Sequence, residues 1–333
     1  MPRFATVPDA TARYEVIPQQ FVHKLDADEV LLTGWRKTGP DTYEVTARLP
    51  HVHSFYLSGN GGYDPLLFAE TVRQLLPLLS HAAYGVPLGH QLIWDDFTYS
   101  MDAAALDSVV AGIPVRLVVR CAAVTRRGSG HASAIVLHAE AYQGTRRLGE
   151  ARTRFTVHSR AVYQRLRGAY GDAQRAMANA VLPGLPLPAR RVGRVSPYDV
   201  VLSPDAATGR WQLCVDTGHP VLFDHPVDHV PGMLLLEAAR QATQAMADPL
   251  PVVPVTMHTE FHRYIELDAP CWVEVEALPA DPSGRCRVRV SMRQHETVCF
   301  VADVSVERAP GAFPLPVLAS REARAHAPAP ALV

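Results

Sequence analysis

The sequence predicts an α+β protein made of two copies of one unit, each an antiparallel sheet wrapped around a long central helix. Three observations predict it. Glu237-Ala238-Ala239-Arg240-Gln241, within an apolar helical stretch, repeats Glu70-Thr71-Val72-Arg73-Gln74, 167 residues upstream. The match keeps its register, with Leu67 answering to Leu234 and Phe55-Tyr56 to Leu222-Phe223; after a three-residue slip, Asp96-Phe97 answers to Glu260-Phe261. Each copy reads as strands, one long apolar helix, then three or more further strands. The second helix, Met233 to Met246, is apolar around most of its circumference, so it must be wrapped rather than laid on a surface. A sheet curled around such a helix is the hotdog architecture. Two sheets joined edge to edge, as tandem hotdog folds packed into an intramolecular double hotdog, also remove an exposed strand edge.

At 333 residues the chain is long enough for two domains of ordinary size. A hydrophobic content of 48% with 20% charged residues fits a globular protein with substantial cores. The net charge of -1 supplies no global field for nucleic acid or an anionic membrane. The Arg pairs at 126–127, 146–147 and 190–191 are too short to be binding tracts. Five scattered cysteines without CxxC spacing argue for a reducing compartment and against a disulfide framework or a zinc site. No basic-then-apolar leader opens the chain and no 18-residue apolar stretch occurs, so a cytoplasmic protein without a membrane span is expected.

In chain order, residues 1–20 are polar and read as a flexible lead-in, and the first repeat covers 21–158. It has strand-like runs at Glu29–Leu32 and Thr42–Leu49. A helix follows, with Asp64 as its N-cap and Pro65 at its first position. Strands follow at Val115–Arg120, Ser133–His138 and Gly149–Val157. Residues 159–193 form a connecting helix (161–181) and a Pro-rich linker. The second repeat covers 194–307, with strands at Trp211–Val215, Trp272–Ala277, Arg285–Met292 and Thr297–Val306. Residues 308–333 read as a disordered Ala/Pro-rich tail.

The copies differ just before the helix. The second reads Phe223-Asp224-His225-Pro226-Val227-Asp228-His229-Val230-Pro231-Gly232; the first reads Tyr56-Leu57-Ser58-Gly59-Asn60-Gly61-Gly62-Tyr63-Asp64-Pro65. His225 and His229 have no counterpart. Either can serve as a base near neutral pH. The turn at Pro231-Gly232 and the helix start at Met233 offer free N–H groups and a positive dipole end to a developing oxyanion. Gly232 also permits close approach of a ligand carbonyl. Glu237, Arg240, Gln241 and Gln244 form one polar stripe. The bland alternative is a helix ion pair of Glu237 with Arg240, and of Glu70 with Arg73, worth a few tenths of a kcal/mol. His51, His53, His258 and His262 read as structural, Trp94, Trp211 and Trp272 as core, and the Gly59–Gly62 run as a turn.

Pro231 to Gln241 resembles the central-helix motif of hotdog-fold acyl-thioester enzymes. The full string from Phe223 to Gln241 resembles the A-factor synthase family of tandem-hotdog proteins in actinomycetes. The resemblance spans residues 21–307. It implies an acyltransferase, with no cofactor and no metal, that moves a β-ketoacyl group from an acyl carrier protein to a hydroxyl of dihydroxyacetone phosphate. That ester begins γ-butyrolactone autoregulator biosynthesis, a quorum-sensing route. The resemblance to paired hotdog dehydratases implies a composite site, His225 of one copy facing Glu70 of the other, with Glu237 left without a matched histidine. His225, Glu70, Glu237 and His229 are therefore the catalytic candidates. Gly232, Met233, Arg240, Arg73 and Gln241 are the substrate-binding candidates, with Arg263 and Arg36 as further phosphate partners. Homodimer formation stays open. The alternatives are a 3-hydroxyacyl thioester dehydratase or thioesterase on the same fold, and a non-catalytic acyl- or lactone-binding module.

Overall fold

A computed structural model describes residues 14–50, 52–56, 63–106, 108–128, 130–205 and 209–309. His51, Gly59–Gly62 and most of the Ala/Pro-rich tail lie outside them. The first half contains β1 (Leu32–Gly39), β2 (Thr42–Ala47), α1 (Pro65–Ala82), β3 (Gln91–Met101), α2 (Ala103–Leu106), β4 (Val115–Arg126), β5 (Ala132–Gln143) and β6 (Arg146–His158). Two short helices, α3 (Arg160–Arg167) and α4 (Ala173–Ala178), connect the halves. The second half contains β7 (Leu202–Pro204), β8 (Trp211–Leu213), α5 (Gly232–Ala247), β9 (Val252–Phe261), β10 (Trp272–Leu278), β11 (Cys286–Gln294) and β12 (Thr297–Arg308). No helix among the described residues is long and apolar enough to cross a membrane.

The strands form one twelve-stranded sheet in the order β1-β2-β4-β5-β6-β3-β9-β12-β11-β10-β8-β7. Read outward from the centre, both halves follow the same path. The strand pairs within each half and across the seam are antiparallel, so this is the predicted double hotdog. The seam pairs β3 with β9 from Asp96↔Glu260 to Ser100↔Thr256, so the repeat-aligned residues Asp96 and Glu260 lie opposite each other. Thr259 Oγ1 donates to the Phe97 carbonyl at 2.8 Å, and Tyr99 donates across the seam to the Pro254 carbonyl at 3.0 Å. Ladder bonds thus join the halves into one sheet.

The central helices are wrapped as their composition requires. Sixteen of the eighteen residues of α1 are buried, and thirteen of the sixteen in α5. Asp64 caps α1 by accepting from the Leu66 N–H at 2.9 Å, with Pro65 at the first position. Burying charge inside a sheet demands partners. Glu70 accepts both arms of Arg73 (2.8 and 2.9 Å), lies 3.3 Å from Lys24, and accepts from Gln74 at 3.0 Å. Glu237 accepts both arms of Arg240 (2.9 and 2.7 Å), together with Arg194 at 2.8 Å and Gln241. Each glutamine then closes a loop on its own lead-in. Gln74 donates to the Glu29 carbonyl and accepts from Leu31 N–H; Gln241 does the same with Asp199 and Val201. The Glu-x-x-Arg-Gln repeat is therefore a buried clamp between central helix and lead-in, not a helix-surface ion pair.

The clamp shows that the repeat reaches further upstream than sequence matching found. A 3₁₀ turn at Gln19–Val22 answers to one at Ala189–Val192, and a second at Ala27–Glu29 to one at Pro197–Asp199. After the first turn the chain takes a left-handed residue in both copies, His23 (φ 52°) in one and Gly193 (φ 68°) in the other. His53 and His219 also correspond: each Nδ1 accepts from the two backbone N–H groups that follow, at Phe55 and Tyr56 or at Val221 and Leu222. Three readings need correction. Glu29 lies in a 3₁₀ turn rather than a strand, because Asp26 caps it there. The connecting helix is broken into α3 and α4, with Gly168 left-handed at the break. Within the segment read as a flexible lead-in, Glu15 exchanges backbone hydrogen bonds with Trp35 on β1.

Glu237→Gln leaves Arg194 and Arg240 buried without their shared counter-charge, and urea unfolding should show a loss of about 3–5 kcal/mol. Burial alone would raise both helix carboxyls, but Arg73 and Lys24 bring Glu70 down to about 2, and Arg194 and Arg240 do the same for Glu237. Folded values lie below the unfolded 4.5, so their stabilisation is full above about pH 5. It should drain away as the pH falls from about 4.5 to about 2, which acid titration of the far-ultraviolet circular dichroism checks.

Candidate active site

Where the halves meet, the α1 face, the start of β3, the end of β9, the N-terminus of α5 and helix α3 enclose a cavity of about 640 Å³. Its apolar lining includes Leu76, Leu92, Trp94, Leu235 and Phe261; its polar lining includes His23, Lys24, Glu70, Arg73, His225 and His229. Both copies therefore contribute to one chamber.

One polar wall is held across the repeat boundary. Asp224 of the second copy accepts from Leu25 N–H (2.8 Å) and Asp26 N–H (3.2 Å) of the first. That grip brings the neighbouring His225 to the wall of Lys24, Glu70 and Arg73. His225 Nδ1 lies 3.5 Å from the Asp224 carboxylate. Burial lowers its pKa, and Arg73 and Lys24 add to this against the pull of Asp224, so the ring favours its neutral form. His23 is neutral for related reasons: burial first, then Arg73, His81 and His225, bring it to about 3. Its Nε2 lies 2.9 Å from His81 Nε2, and His81 Nδ1 lies 2.7 Å from the Val86 carbonyl. A carbonyl only accepts, so His81 carries its proton on Nδ1 and His23 donates from Nε2.

The opposite wall comes from the second copy and the connecting helix. His229 Nδ1 lies 2.6 Å from Asp228 Oδ1, which also accepts from the Tyr163 hydroxyl at 2.8 Å. Arg167 donates to Asp228 Oδ2 at 2.9 Å and forks onto Glu266 at 2.7 and 2.6 Å. Burial would raise the Asp228 carboxyl, but the bonds from His229, Tyr163 and Arg167 hold it well below the usual carboxylate range. An ionised Asp228 only accepts, so His229 carries a proton on Nδ1 and Nε2 is the nitrogen left to take one up.

Between the walls, α5 begins behind Pro231 with no side-chain cap. Gly232 and Met233 line the cavity at this uncapped end. The glycine also answers a packing need. A Cβ there would lie 2.7 Å from the Trp94 indole, which stacks on Phe261 at 5.1 Å and 12°. Trp94, expected in the core, is part of the cavity wall and donates to Thr153 Oγ1 at 2.6 Å.

Of the candidates, Glu70, Arg73, His225, His229, Gly232 and Met233 meet at this cavity. Arg240 instead lines a second cavity of about 300 Å³, with Asp64, Arg190 and Arg194. Glu237 and Gln241 are bound up in the second clamp. Arg36 sits on β1, paired with Glu44 at 3.0 Å. Sequence reasoning missed His23, Lys24, Asp228, Tyr163 and Arg167. The Asp-His adjacency at 228–229 was the available signal for one of them.

Fold and site together define a tandem hotdog protein with a polar chamber at the seam of its repeats. The chain matches the model for the A-factor biosynthesis hotdog domain over residues 6–159 and 182–307, and it belongs to that family. It is 44% identical over 285 residues, 85% of this chain and 95% of the relative, to a 2-oxo-3-(phosphooxy)propyl 3-oxoalkanoate synthase of Streptomyces virginiae. A synthase of the same name from Streptomyces coelicolor is 40% identical over 297 residues, 87% of this chain and 91% of the relative. Among solved structures, one assigned as an oleoyl thioesterase of Lactobacillus plantarum aligns with a TM-score of 0.53 at 12% identity, covering 83% of this chain and 97% of that one. That likeness shows the fold alone.

Gly232→Ala should lower stability by about 1–3 kcal/mol through overpacking against the indole. In a Trp94→Leu background the penalty should shrink, and a double-mutant cycle by urea unfolding measures the coupling.

Proposed function

We propose that the protein is an acyltransferase that moves a β-ketoacyl group from a thioester to the hydroxyl of dihydroxyacetone phosphate, the first step toward γ-butyrolactone-type signalling molecules. The observation that carries this reading is 44% identity, over 85% of this chain and 95% of the relative, to a synthase whose name spells out that ester. A 3-oxoalkanoate esterified to a 2-oxo-3-(phosphooxy)propyl group is β-ketoacyl dihydroxyacetone phosphate.

The residues support a base-assisted route. His229 Nε2 takes the proton of the acceptor hydroxyl while Asp228 holds the ring and balances the imidazolium. The oxygen attacks the thioester carbonyl, whose oxyanion is received by the free N–H groups at the start of α5. Collapse breaks the C–S bond, and the departing thiolate takes the proton from His229. His225, with Glu70 holding Arg73 and Lys24 beside it, forms the second polar wall and positions the acceptor. The apolar lining takes the acyl chain. We assign acyl carrier protein as donor, and the five unpaired cysteines support a reducing, cytoplasmic setting.

Incubation with a β-ketoacyl thioester, with and without dihydroxyacetone phosphate, followed by mass spectrometry, tests the reading. An ester that needs the acceptor is expected; acid or enoyl product without acceptor would instead mark a thioesterase or dehydratase, and unchanged thioester a binding module. His229→Ala should abolish ester formation, and Asp228→Asn should lower kcat by about 100-fold or more by releasing the tautomer. Per folded molecule, Glu70→Ala should cost more turnover than Glu237→Ala. The opposite ranking would remove Glu70 from the site.

A further inference from the structure

A phosphate dianion entering the cavity needs a cation whose charge is not already matched. Among the described residues, the permanent cations lining the cavity are Lys24, Arg73, Arg167 and Arg263. Arg73 is forked onto Glu70, and Lys24 shares that carboxylate. Arg167 is forked onto Glu266 and holds Asp228 as well. A ligand phosphate that drew any of these three away would take a counter-charge from a buried carboxylate.

Arg263 differs. It is exposed at the cavity wall just beyond β9, and its backbone N–H is fixed to the Cys299 carbonyl at 3.1 Å. Its guanidinium pairs with no described carboxylate. Nearby Glu260 faces His258 and His262, and Glu266 is taken by Arg167. The next residue, Tyr264, packs edge-on against the His229 ring with centroids 4.7 Å apart. Arg263 and the His229 imidazole therefore line the same cavity and are linked through Tyr264.

We infer that Arg263 binds the phosphate monoester of the alcohol acceptor and makes the site selective for a phosphorylated alcohol. The inference rests on the acyl-transfer reading above for the identity of the acceptor. A guanidinium presents a planar fork to two phosphate oxygens, and a hydroxyl carried a few bonds away is delivered toward His229 Nε2. The donor's pantetheine arm also carries a phosphate, as a diester, so the test separates the two sources.

Steady-state kinetics of the full chain would compare dihydroxyacetone phosphate with unphosphorylated dihydroxyacetone, using an N-acetylcysteamine thioester that contains no phosphate. Arg263→Ala should raise KM for the phosphorylated acceptor by about 10- to 100-fold and leave the unphosphorylated one nearly unchanged. Arg263→Lys should recover part of the loss. An unchanged KM, an equal loss with both acceptors, or a loss confined to assays with a carrier-protein donor would overturn the assignment. Calorimetric binding of dihydroxyacetone phosphate without donor tests Arg263 even where no ester forms. The same weakening is expected there, and equal affinity of variant and parent would sink the assignment independently of the reaction.

Discussion

The fold depends on one electrostatic constraint, a carboxylate buried inside each curled sheet. Glu70 and Glu237 sit on helices that the sheets enclose almost completely. Each is tolerable only because an arginine one turn along the helix and a cation from the lead-in are drawn in with it. The partners then fix everything near them. Lys24 and Arg194 tie the start of each unit to its central helix, and the glutamines at 74 and 241 hold the adjoining backbone. Arg194 also reaches the other copy, donating to the Phe55 carbonyl at 2.6 Å and lying 3.1 Å from Asp64 at the cap of α1. The same network that neutralises a charge therefore sets the angle between the repeats, and with it the chamber at their seam.

Identical clamps do not produce identical surroundings. Beside the Glu70 clamp stand His23, His225 and the grip of Asp224 on Leu25 and Asp26. Beside the Glu237 clamp stand Gly193, Asp64 and a cavity less than half as large. The contrast at His23 and Gly193 is informative because the backbone conformation is shared. Glycine adopts a left-handed φ without penalty, whereas a histidine there costs about 1–2 kcal/mol. The first copy carries that strain with a ring that faces the chamber and is locked by His81, a pattern associated with functional sites.

Much of the architecture was legible because it is periodic. An apolar helix with a repeated Glu-x-x-Arg-Gln states both the duplication and the need for a wrapping sheet, and strands β4 to β6 announce themselves by alternation. The His225-to-Gly232 string, lacking a counterpart, pointed to the N-terminal end of α5, where the cavity lies. What stayed hidden depends on distant packing. Nothing local distinguishes a surface Glu–Arg pair from a buried clamp, since the deciding partners, Lys24 and Arg194, lie far away in the chain. Lys24 and Arg194 also escaped the repeat because short insertions shift the lead-ins relative to the helices. Asp228 was read as part of a motif rather than as the partner of His229, because Tyr163 and Arg167 come from a connecting helix outside both repeats. The packing need for Gly232 was equally hidden, because the indole that occupies its space is contributed by β3.

Both units lie on one chain, and the ladder between β3 and β9 joins them into a single sheet. In a two-fold symmetric pair of separate subunits, any substitution is written twice, so a change that suits one chamber is imposed on the other. Covalent fusion removes that coupling. One face can carry a histidine where its partner keeps glycine, and an aspartate grip can form on one side only. The chain thus has the division of labour of a heterodimer, specified by one gene and with no separate subunits to find each other.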